Sequence, residues 1–313
     1  MAFEEIVVSS GYASRLKARA WIGPALMLSS AFIFSLMDCL IKFLNPSFRI
    51  WDIAFYRFGC GMAILVLLFG RHGNPFSTPD TKLLLVRGIA GCLSFLALVY
   101  ALRMIPLSTA MVLFYSYPAF ATLFASLFSY EKAGKQIVWA VLAFCGVVVF
   151  LDPQLEGGLL GQVMSLLGAA FAGIAVASIR KASKTNGPVI IYLYFCVTGA
   201  VVSFLPFVAG PRIPVTLTDG LMVAGIICTS VVAQLLMNHG FRYCGTCEGG
   251  LLLTSEVIFV AIYGFVFLGE SITWRFWVGG MMILGSIVAL SLSMPGARAL
   301  APVRRNEGSG GRL

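Results

Sequence analysis

Charged residues are scarce in this 313-residue chain: only 11% are Asp, Glu, Lys or Arg, against about 25% in a soluble domain. Apolar residues of the AVILMFWYC set make up 59% of it. A surface in water cannot be covered by so few charges, so lipid must be the solvent for most of the chain. This scarcity excludes a disordered protein, a secreted disulfide scaffold and a large extramembrane enzyme domain.

Motifs for catalysis and nucleotide binding are also missing. The chain has two histidines and no GxxxxGK[ST], GxSxG or HExxH pattern, so we expect no cofactor, no bound metal, no ATP drive within the chain and no enzymatic activity. The Cys244-Gly-Thr-Cys247 motif lacks the second ligand pair that a zinc site would need. Its two cysteines are more typical of small apolar residues in a protein interior. The net charge of +9 comes without a basic stripe bearing aromatics, so no nucleic-acid partner is expected.

What the chain has in abundance is long apolar runs. A helix needs about 20 apolar residues to cross a bilayer, and ten such runs are separated by turn residues such as Asn45-Pro46 and Asn186-Gly187-Pro188. The predicted fold class is an all-α integral membrane protein with ten transmembrane helices. The predicted spans are 21–44, 50–70, 83–102, 105–129, 135–151, 159–180, 189–210, 218–239, 248–268 and 273–294.

The distribution of lysine and arginine predicts the orientation. Most of them fall in segments that are cytoplasmic if the N-terminus is inside, as the positive-inside rule requires. We therefore expect cytoplasmic terminal segments, 1–20 and 295–313, in a multi-pass protein of a bacterial-type inner or plasma membrane. The apolar run from Trp21 is too long for the core of a cleaved signal peptide and is expected to remain as the first span.

The chain also repeats itself at a constant offset. Several matches are polar residues near span ends, which general apolar similarity does not explain. They include Asp80 with Asp219, Ser116 with Ser255 and Glu131 with Glu270. Each repeat, 21–151 and 159–294, holds five predicted spans, and because five is odd the second enters the membrane from the opposite face. Two inverted five-helix repeats can expose a midplane site to either side in turn, as in alternating-access transporters.

The end of each repeat is its most specific part. An apolar helix ends in a glutamate and is followed by a helix that contains glycine. The apolar helix contains Leu113-Phe114-Tyr115-Ser116-Tyr117-Pro118 in the first repeat and Leu252-Leu253-Thr254-Ser255-Glu256-Val257 in the second. In these features, over residues 20–292, the chain resembles the EamA-type drug/metabolite transporter superfamily. The resemblance implies a carrier of small organic metabolites. Because Val257 replaces the proline, only the first half carries a proline signal for a kink.

Four charged residues within the spans are candidates for solute binding, since each costs about 2.5–3.5 kcal/mol to insert. Asp38 and Arg57 lie at similar depth in neighbouring spans, so we expect a direct ion pair or solute contact; Asp38 could instead pair with Lys42 one turn away. Arg87 either reaches the headgroups or contacts an anion in the cavity. Glu256 either binds a cationic group, titrates, or is a helix-packing acid.

Uncharged polar residues complete the candidate set. Gln234 and Asn238 continue a polar stripe that begins at Ser230, which either faces the solute or bonds neighbouring helices together. Tyr115 and Tyr117, beside Pro118, could line the cavity. Two further expectations concern other residues. Tyr192 and Tyr194 either line the cavity or, as is more typical near span ends, anchor the membrane interface. Glu131 and Glu270 are expected to be architectural, at the start of the next helix.

These features favour a secondary transporter, or permease, for a small polar organic metabolite. An amino-acid-like solute is indicated because Asp38, Glu256 and Arg57 together suit a zwitterion. Two alternatives are an integral-membrane enzyme acting on a lipid-linked substrate, and a non-transporting sensor or assembly subunit. The expected partners are the solute and the lipid bilayer, and the GxxxG-like spacing of Gly157 and Gly161 would permit a homodimer.

Overall fold

The computed structural model describes residues 2–70, 78, 80–105, 107–128, 134, 136–151, 158–268 and 274–293. Every regular element in these ranges is a helix, so the all-helical prediction is confirmed. The first half contains α1 (Ala2–Phe43), α2 (Ile50–Phe55), a π-helical turn (Tyr56–Cys60), α3 (Gly61–Phe69), α4 (Thr81–Met104), α5 (Leu107–Phe114), α6 (Tyr117–Leu127) and α7 (Gln136–Leu151). The second contains α8 (Leu159–Ala182), α9 (Pro188–Val208), α10 (Leu217–Gly240), α11 (Thr246–Thr254), α12 (Glu256–Leu268) and α13 (Trp274–Ser293).

Within the described ranges, seven helical stretches are long and apolar enough to cross a membrane, and two shorter apolar helices, Ile137–Phe150 and Trp277–Ala289, accompany them. Each predicted span coincides with a helix or with consecutive helical segments, and most ends agree within a few residues. The clearest difference is α1, whose helical backbone begins at Ala2, well before the predicted start at residue 21. Glu131 and Glu270 lie outside the described residues.

The outer surface of the helices is strongly apolar. Leu205 is 75% exposed and Leu67 is 74% exposed, and many other large apolar side chains face outward with them. A continuous apolar surface of this kind would cause aggregation in water. A lipid bilayer solvates it, provided that the backbone polar groups are satisfied inside helices, as they are here.

Helices from the two halves pack against each other in a regular pattern. α4 lies along α8 and α1 along α10, while α6 contacts α8 and α12 contacts α1. α7 lies along α13 at very short range: a Cβ atom added to Gly279 would lie 2.6 Å from the carbonyl oxygen of Gly146. Lipid provides no hydrophobic drive for helix association, so close backbone packing of this kind stabilises the pair.

Two of the predicted spans are interrupted at matched positions. The first break separates α5 from α6 and the second separates α11 from α12. At the first break the Ser116 hydroxyl donates a 2.6 Å hydrogen bond to the Leu113 carbonyl oxygen, and at the second the Ser255 hydroxyl donates a 2.7 Å bond to that of Leu252. The second break forms without a proline, and in both halves the serine hydroxyl bonds a carbonyl of the preceding turn.

The helix that follows α1 widens in its middle. Residues Tyr56–Cys60 form a π-helical turn between α2 and α3, in which hydrogen bonds close one residue later than in an α-helix. Arg57 lies in this turn and is only 4% exposed. The wider turn therefore holds a charged side chain inside the helix bundle.

Candidate functional site

The carboxyl groups of Asp38 and Glu256 lie within hydrogen-bonding reach of each other. Asp38 belongs to α1, and Glu256 is the first residue of α12, directly after the second helix break. The two helices pack face to face at this level, with the rings of Phe32 and Phe259 in edge contact at 5.5 Å between centroids. Two acidic groups that are far apart in sequence therefore meet in one place.

Arg57 lies next to this acidic pair without touching it. Its charge acts on both carboxyl groups, but its Nε donates a 2.7 Å hydrogen bond to the Ser230 hydroxyl and its Cζ lies 4.8 Å from the centre of the Phe95 ring. In the described structure no direct Asp38–Arg57 ion pair forms, so that expectation is not met: Ser230 and the aromatic ring hold the guanidinium. The side chain of Lys42, the other partner proposed for Asp38, lies outside the described residues.

Arg87 of α4 lies in the same region. It is only 2% exposed, its Nη2 donates a 3.1 Å hydrogen bond to Gln234 Oε1, and its Cζ lies 4.1 Å from the centre of the Phe195 ring. Its Nε is buried and has no hydrogen-bond partner among the described residues. Arg87 therefore does not reach the headgroups, because cation–π and amide contacts hold it inside the protein.

The two arginines lie close enough for their charges to act on each other. Asp38 and Glu256 are half-buried, while Arg57 and Arg87 are almost fully buried. We refer to Asp38, Arg57, Arg87 and Glu256 as the central cluster. Neither guanidinium is bonded directly to a carboxylate among the described residues, so their donors could serve an anionic group.

Tyrosines surround the central cluster. Tyr115 and Tyr117 are both buried, with 6.3 Å between their ring centres, and the Tyr117 hydroxyl donates a 3.0 Å hydrogen bond to the Gly250 carbonyl oxygen in α11. Tyr192 is fully buried, and its hydroxyl lies 3.2 Å from that of Ser230. Of the two alternatives for Tyr192 and Tyr194, the interface anchor is wrong, since both are buried in the helix bundle.

The polar stripe on α10 divides between two roles. Gln234 and Ser230 contact the arginines of the central cluster. Asn238, one turn further along, donates a 3.3 Å hydrogen bond to the Pro188 carbonyl oxygen at the start of α9. Its side chain is fully buried and its Oδ1 has no hydrogen-bond partner among the described residues. The structure therefore brings Gln234 into the cluster and places Asn238 at its edge, towards the start of α9.

A group of polar contacts near one end of α9 forms what we call the Asp52 cluster. The Asp52 carboxylate accepts hydrogen bonds from Arg49 at 2.9–3.1 Å and from the backbone nitrogen of Arg212 at 3.3 Å. Arg49 also donates to the Pro206 carbonyl oxygen, and the Tyr56 hydroxyl to that of Arg212. The hydrogen bond to Asp52 raises the pKa of Arg49 above its usual value. These contacts join the start of α2 to the end of α9.

A second group of polar contacts, the Asp80 cluster, lies near the other end of α9. The Asp80 carboxylate accepts hydrogen bonds from the Thr185 hydroxyl and from Asn186 Nδ2 at 3.0 Å. The Thr78 hydroxyl donates to Asn186 Oδ1 at 2.5 Å. These contacts join the start of α4 to the turn before α9. The two clusters thus lie at opposite ends of α9, which at 21 residues spans about 30 Å.

Sequence reasoning missed the aromatic rings that hold the arginines. Phe95 and Phe195 each face a guanidinium, but they are two of 25 phenylalanines in an apolar chain. No spacing separates them from rings that only pack or face lipid. Tyr192 and Ser230 carried a better signal, because a hydroxyl placed deep in a span needs a partner.

The EamA-like transporter family matches residues 21–151 and 159–292 of the chain. The pseudopaline exporter CntI of Pseudomonas aeruginosa is 27% identical over 88% of this chain and 97% of its own. Solute carrier family 35 member G1 of Homo sapiens is 22% identical over 85% and 77%, and the S-adenosylmethionine uptake transporter of Rickettsia felis is 29% identical over 44% and 45%.

A solved crystal structure covers 87% of this chain and 98% of its own, with a TM-score of 0.74 and 16% identity, which shows that the fold is shared. The relatives are named as transporters, which supports a role other than catalysis. They imply a small-molecule solute and a lipid environment, and the described residues give no support for a homodimer.

Proposed function

The chain belongs to the EamA-like transporter family and is a multi-pass membrane permease for a small metabolite; we propose that it works by alternating access and carries a zwitterionic, amino-acid-like solute. One observation carries this proposal. The central cluster brings two acidic and two basic side chains together deep among apolar helices, where ionisable groups ordinarily mark a solute or ion pathway.

Two inverted repeats are supported by the helix packing. If α1 corresponds to α8 and α4 to α10, then the pairing of α4 with α8 has its mate in α1 with α10, and α6 with α8 has its mate in α12 with α1. The breaks at Ser116 and Ser255 correspond in the same way. The family matches the chain twice, in line with repeats over 21–151 and 159–294, and counting each broken pair of helices as one span gives ten.

With this topology, the segments 1–20 and 295–313 lie in the cytoplasm of a cell bounded by an inner or plasma membrane. The loop before α4 then faces the cytoplasm and the turn before α2 faces outward. The Asp80 cluster becomes an inner gate and the Asp52 cluster an outer gate. Each gate joins the residues before the third span of one repeat to the turn between the first two spans of the other, as inverted symmetry requires.

The solute lies between two subsites of opposite charge. Its carboxylate occupies the space beside Arg87 and Arg57, where the buried Arg87 Nε lacks a protein partner. Its ammonium group lies against Asp38 and Glu256. Tyr115, Tyr117, Gln234 and the edge residue Asn238 line the site. Both gates are closed around the buried arginines, so this arrangement corresponds to an occluded state of the cycle.

The relatives do not set the direction of transport. One is named an exporter and another an uptake transporter, so a shared mechanism serves both directions. Alternating access explains this, because the same site opens to either side and the gradients decide the net flow.

Counterflow in proteoliposomes tests the proposal. Vesicles with purified protein are loaded with unlabelled L-amino acids and placed in a radiolabelled mixture of the same compounds. We expect transient accumulation of label by the wild-type protein and its loss with Arg87→Gln. Competition by N-acetylated and amidated derivatives should be weak, because each lacks one of the two charges. Accumulation that both derivatives inhibit as well as the parent compounds would refute the two-subsite arrangement.

A further inference from the structure

We propose that Asp38 and Glu256 form the proton-binding site of the transporter: in the empty protein one proton is shared between the two carboxyl groups, and the ammonium group of the solute replaces it. The protein would then exchange protons for solute. This inference rests on the proposed function, and it adds the coupling ion, which neither the family nor the relatives identify.

The geometry of the pair calls for a proton. An ionised carboxylate only accepts hydrogen bonds, so two carboxyl groups can bond each other only when one of them carries a proton. Asp38 and Glu256 lie within that reach. Without the proton, two like charges would face each other in a region of low dielectric, where their repulsion is far stronger than in water.

Among the described side chains, no basic group is bonded to either acid; the side chain of Lys42 lies outside the described residues. Arg57 acts on both carboxyl groups from a distance, but Ser230 and the Phe95 ring hold its guanidinium. Tyr115 and Tyr117 face the pair from the first broken helix, and the Tyr117 hydroxyl is bonded to the Gly250 carbonyl oxygen. Among the described side chains near the pair, Arg57 is therefore the one basic group, and it forms no ion pair with either acid.

The charges balance only if the proton leaves as the zwitterion enters. With one proton on the acidic pair, the central cluster carries two guanidinium charges and one carboxylate charge, which leaves one net positive charge. When the zwitterion binds, the shared O–H bond breaks, the proton leaves to the side towards which the site is open, and two carboxylates then balance two guanidinium groups. The loaded site is neutral, which favours its occlusion in lipid.

This exchange has an electrical consequence. The protonated, empty protein has one more positive charge than the solute-loaded protein. Each transport cycle therefore moves one positive charge across the membrane in the direction opposite to the solute. Membrane potential then acts on transport with about 2.3 kcal/mol per 100 mV for a charge that crosses the full field. With an outside that is acidic and positive, the exchange drives solute out of the cell.

Infrared difference spectroscopy tests the proton site without any solute. Purified wild-type protein at neutral pH should show a protonated carboxyl band that shifts in D₂O, and Asp38→Asn and Glu256→Gln should each abolish it. The control Asp219→Asn, at the start of α10 away from the cluster, should keep it. A wild-type spectrum without the band overturns the proposal, whether or not the variants fold.

Proton movement in proteoliposomes tests the exchange. With the radiolabelled L-amino-acid mixture as the probe and a trapped pH-sensitive dye, we expect about one proton to leave for each probe molecule that enters. Asp38→Asn should abolish the proton movement, whereas Asp219→Asn, away from the cluster, should keep both probe counterflow and proton movement. Probe transport by wild type without proton movement overturns the exchange and leaves the proposed function intact. Absence of probe transport with the infrared band present refutes the solute class and leaves the proton site standing.

Discussion

Arg87 donates a 3.1 Å hydrogen bond to the side-chain oxygen of Gln234, although the two residues belong to different halves of the chain. The bond connects α4 to α10, which correspond to each other under the inverted symmetry proposed above. The guanidinium also lies against the Phe195 ring, and its buried Nε has no hydrogen-bond partner among the described residues. A residue that links the halves and offers a free donor is well placed to couple solute binding to their relative motion.

Replacement of Arg87 should therefore weaken solute binding. We expect Arg87→Gln to raise the half-saturating concentration of an amino-acid solute by about 10- to 100-fold, the loss for one charged hydrogen bond. Arg87→Lys should restore only part of it, because lysine lacks the planar fork of donors. Counterflow at graded solute concentrations measures the change. Lys82→Gln, an exposed charge on the same helix, is the matched control, and an equal effect there would contradict this role.

Loss of the Ser230 hydroxyl should destabilise the protein, because it leaves Arg57 Nε and the Tyr192 hydroxyl without this partner. We expect Ser230→Ala to cost about 1–3 kcal/mol, the usual penalty for an unsatisfied buried polar group. Thermal unfolding in detergent measures it. The neighbouring Thr229→Ala removes only bonds within its own helix and should change the midpoint less. A larger midpoint shift for Thr229→Ala than for Ser230→Ala would contradict this role of the Ser230 hydroxyl.

The two gates should open separately. In a variant that keeps Cys196 as its single cysteine, a thiol buried beside Tyr192, we expect a membrane-impermeant maleimide to react slowly from both sides. Asp52→Asn removes the acceptor of the outer gate and should speed labelling from outside, while Asp80→Asn should speed it from inside. Asp219→Asn is the control. Faster labelling from the same side in both gate variants would contradict the assignment.

The first helix break should not depend on its proline. Pro118→Ala is expected to keep transport within about twofold, because the second break forms at Ser255 with Val257 in the matching position. Ser116→Ala should cost more, about 1 kcal/mol, by removing the hydroxyl that bonds the Leu113 carbonyl. Thermal unfolding and counterflow measure both. Abolished transport in Pro118→Ala together with a silent Ser116→Ala would show that the proline makes the break.

Close packing of α7 and α13 makes a further prediction. Gly279→Val inserts a side chain where a Cβ would already lie 2.6 Å from the Gly146 carbonyl oxygen, so we expect destabilisation of about 1–3 kcal/mol or more. On the same helix, Gly285→Val points into open space and should change stability little. The thermal midpoints of the two variants decide the matter; equal shifts would show that helix propensity, not packing, sets the cost.

Span positions could be predicted from the sequence because apolar length is a direct consequence of bilayer thickness. The ends of α8 and α9 lie within two residues of the predicted ends, since glycine and proline interrupt the runs there. The candidate charges were identified for the same reason: a charged residue in an apolar run is costly and therefore informative. The lengths of the apolar runs and the charges within them carry both signals.

Side-chain partners could not be predicted in this way. Asp38 was expected to bond Arg57 because their spans are adjacent, yet its neighbour is Glu256, which is distant in sequence. Arg87 was expected either to reach the headgroups or to contact an anion, and the inward position depends on where Phe195 lies. The π-helical turn at Arg57 left no trace in the sequence, because its apolar residues suit either helix type.

The π-helical turn at Tyr56–Cys60 gives the second span a second available backbone geometry. A turn that accommodates one residue more than an α-helix requires can return to α-helical geometry if one flank rotates by about 100° about the axis. Such a rotation changes the length of the helix by only about 1.5 Å, so the ends of the span keep nearly the same depth in the membrane. The rotation would move the Arg57 side chain from one neighbouring helix towards another. The span can thus act as a rotary joint at constant membrane thickness.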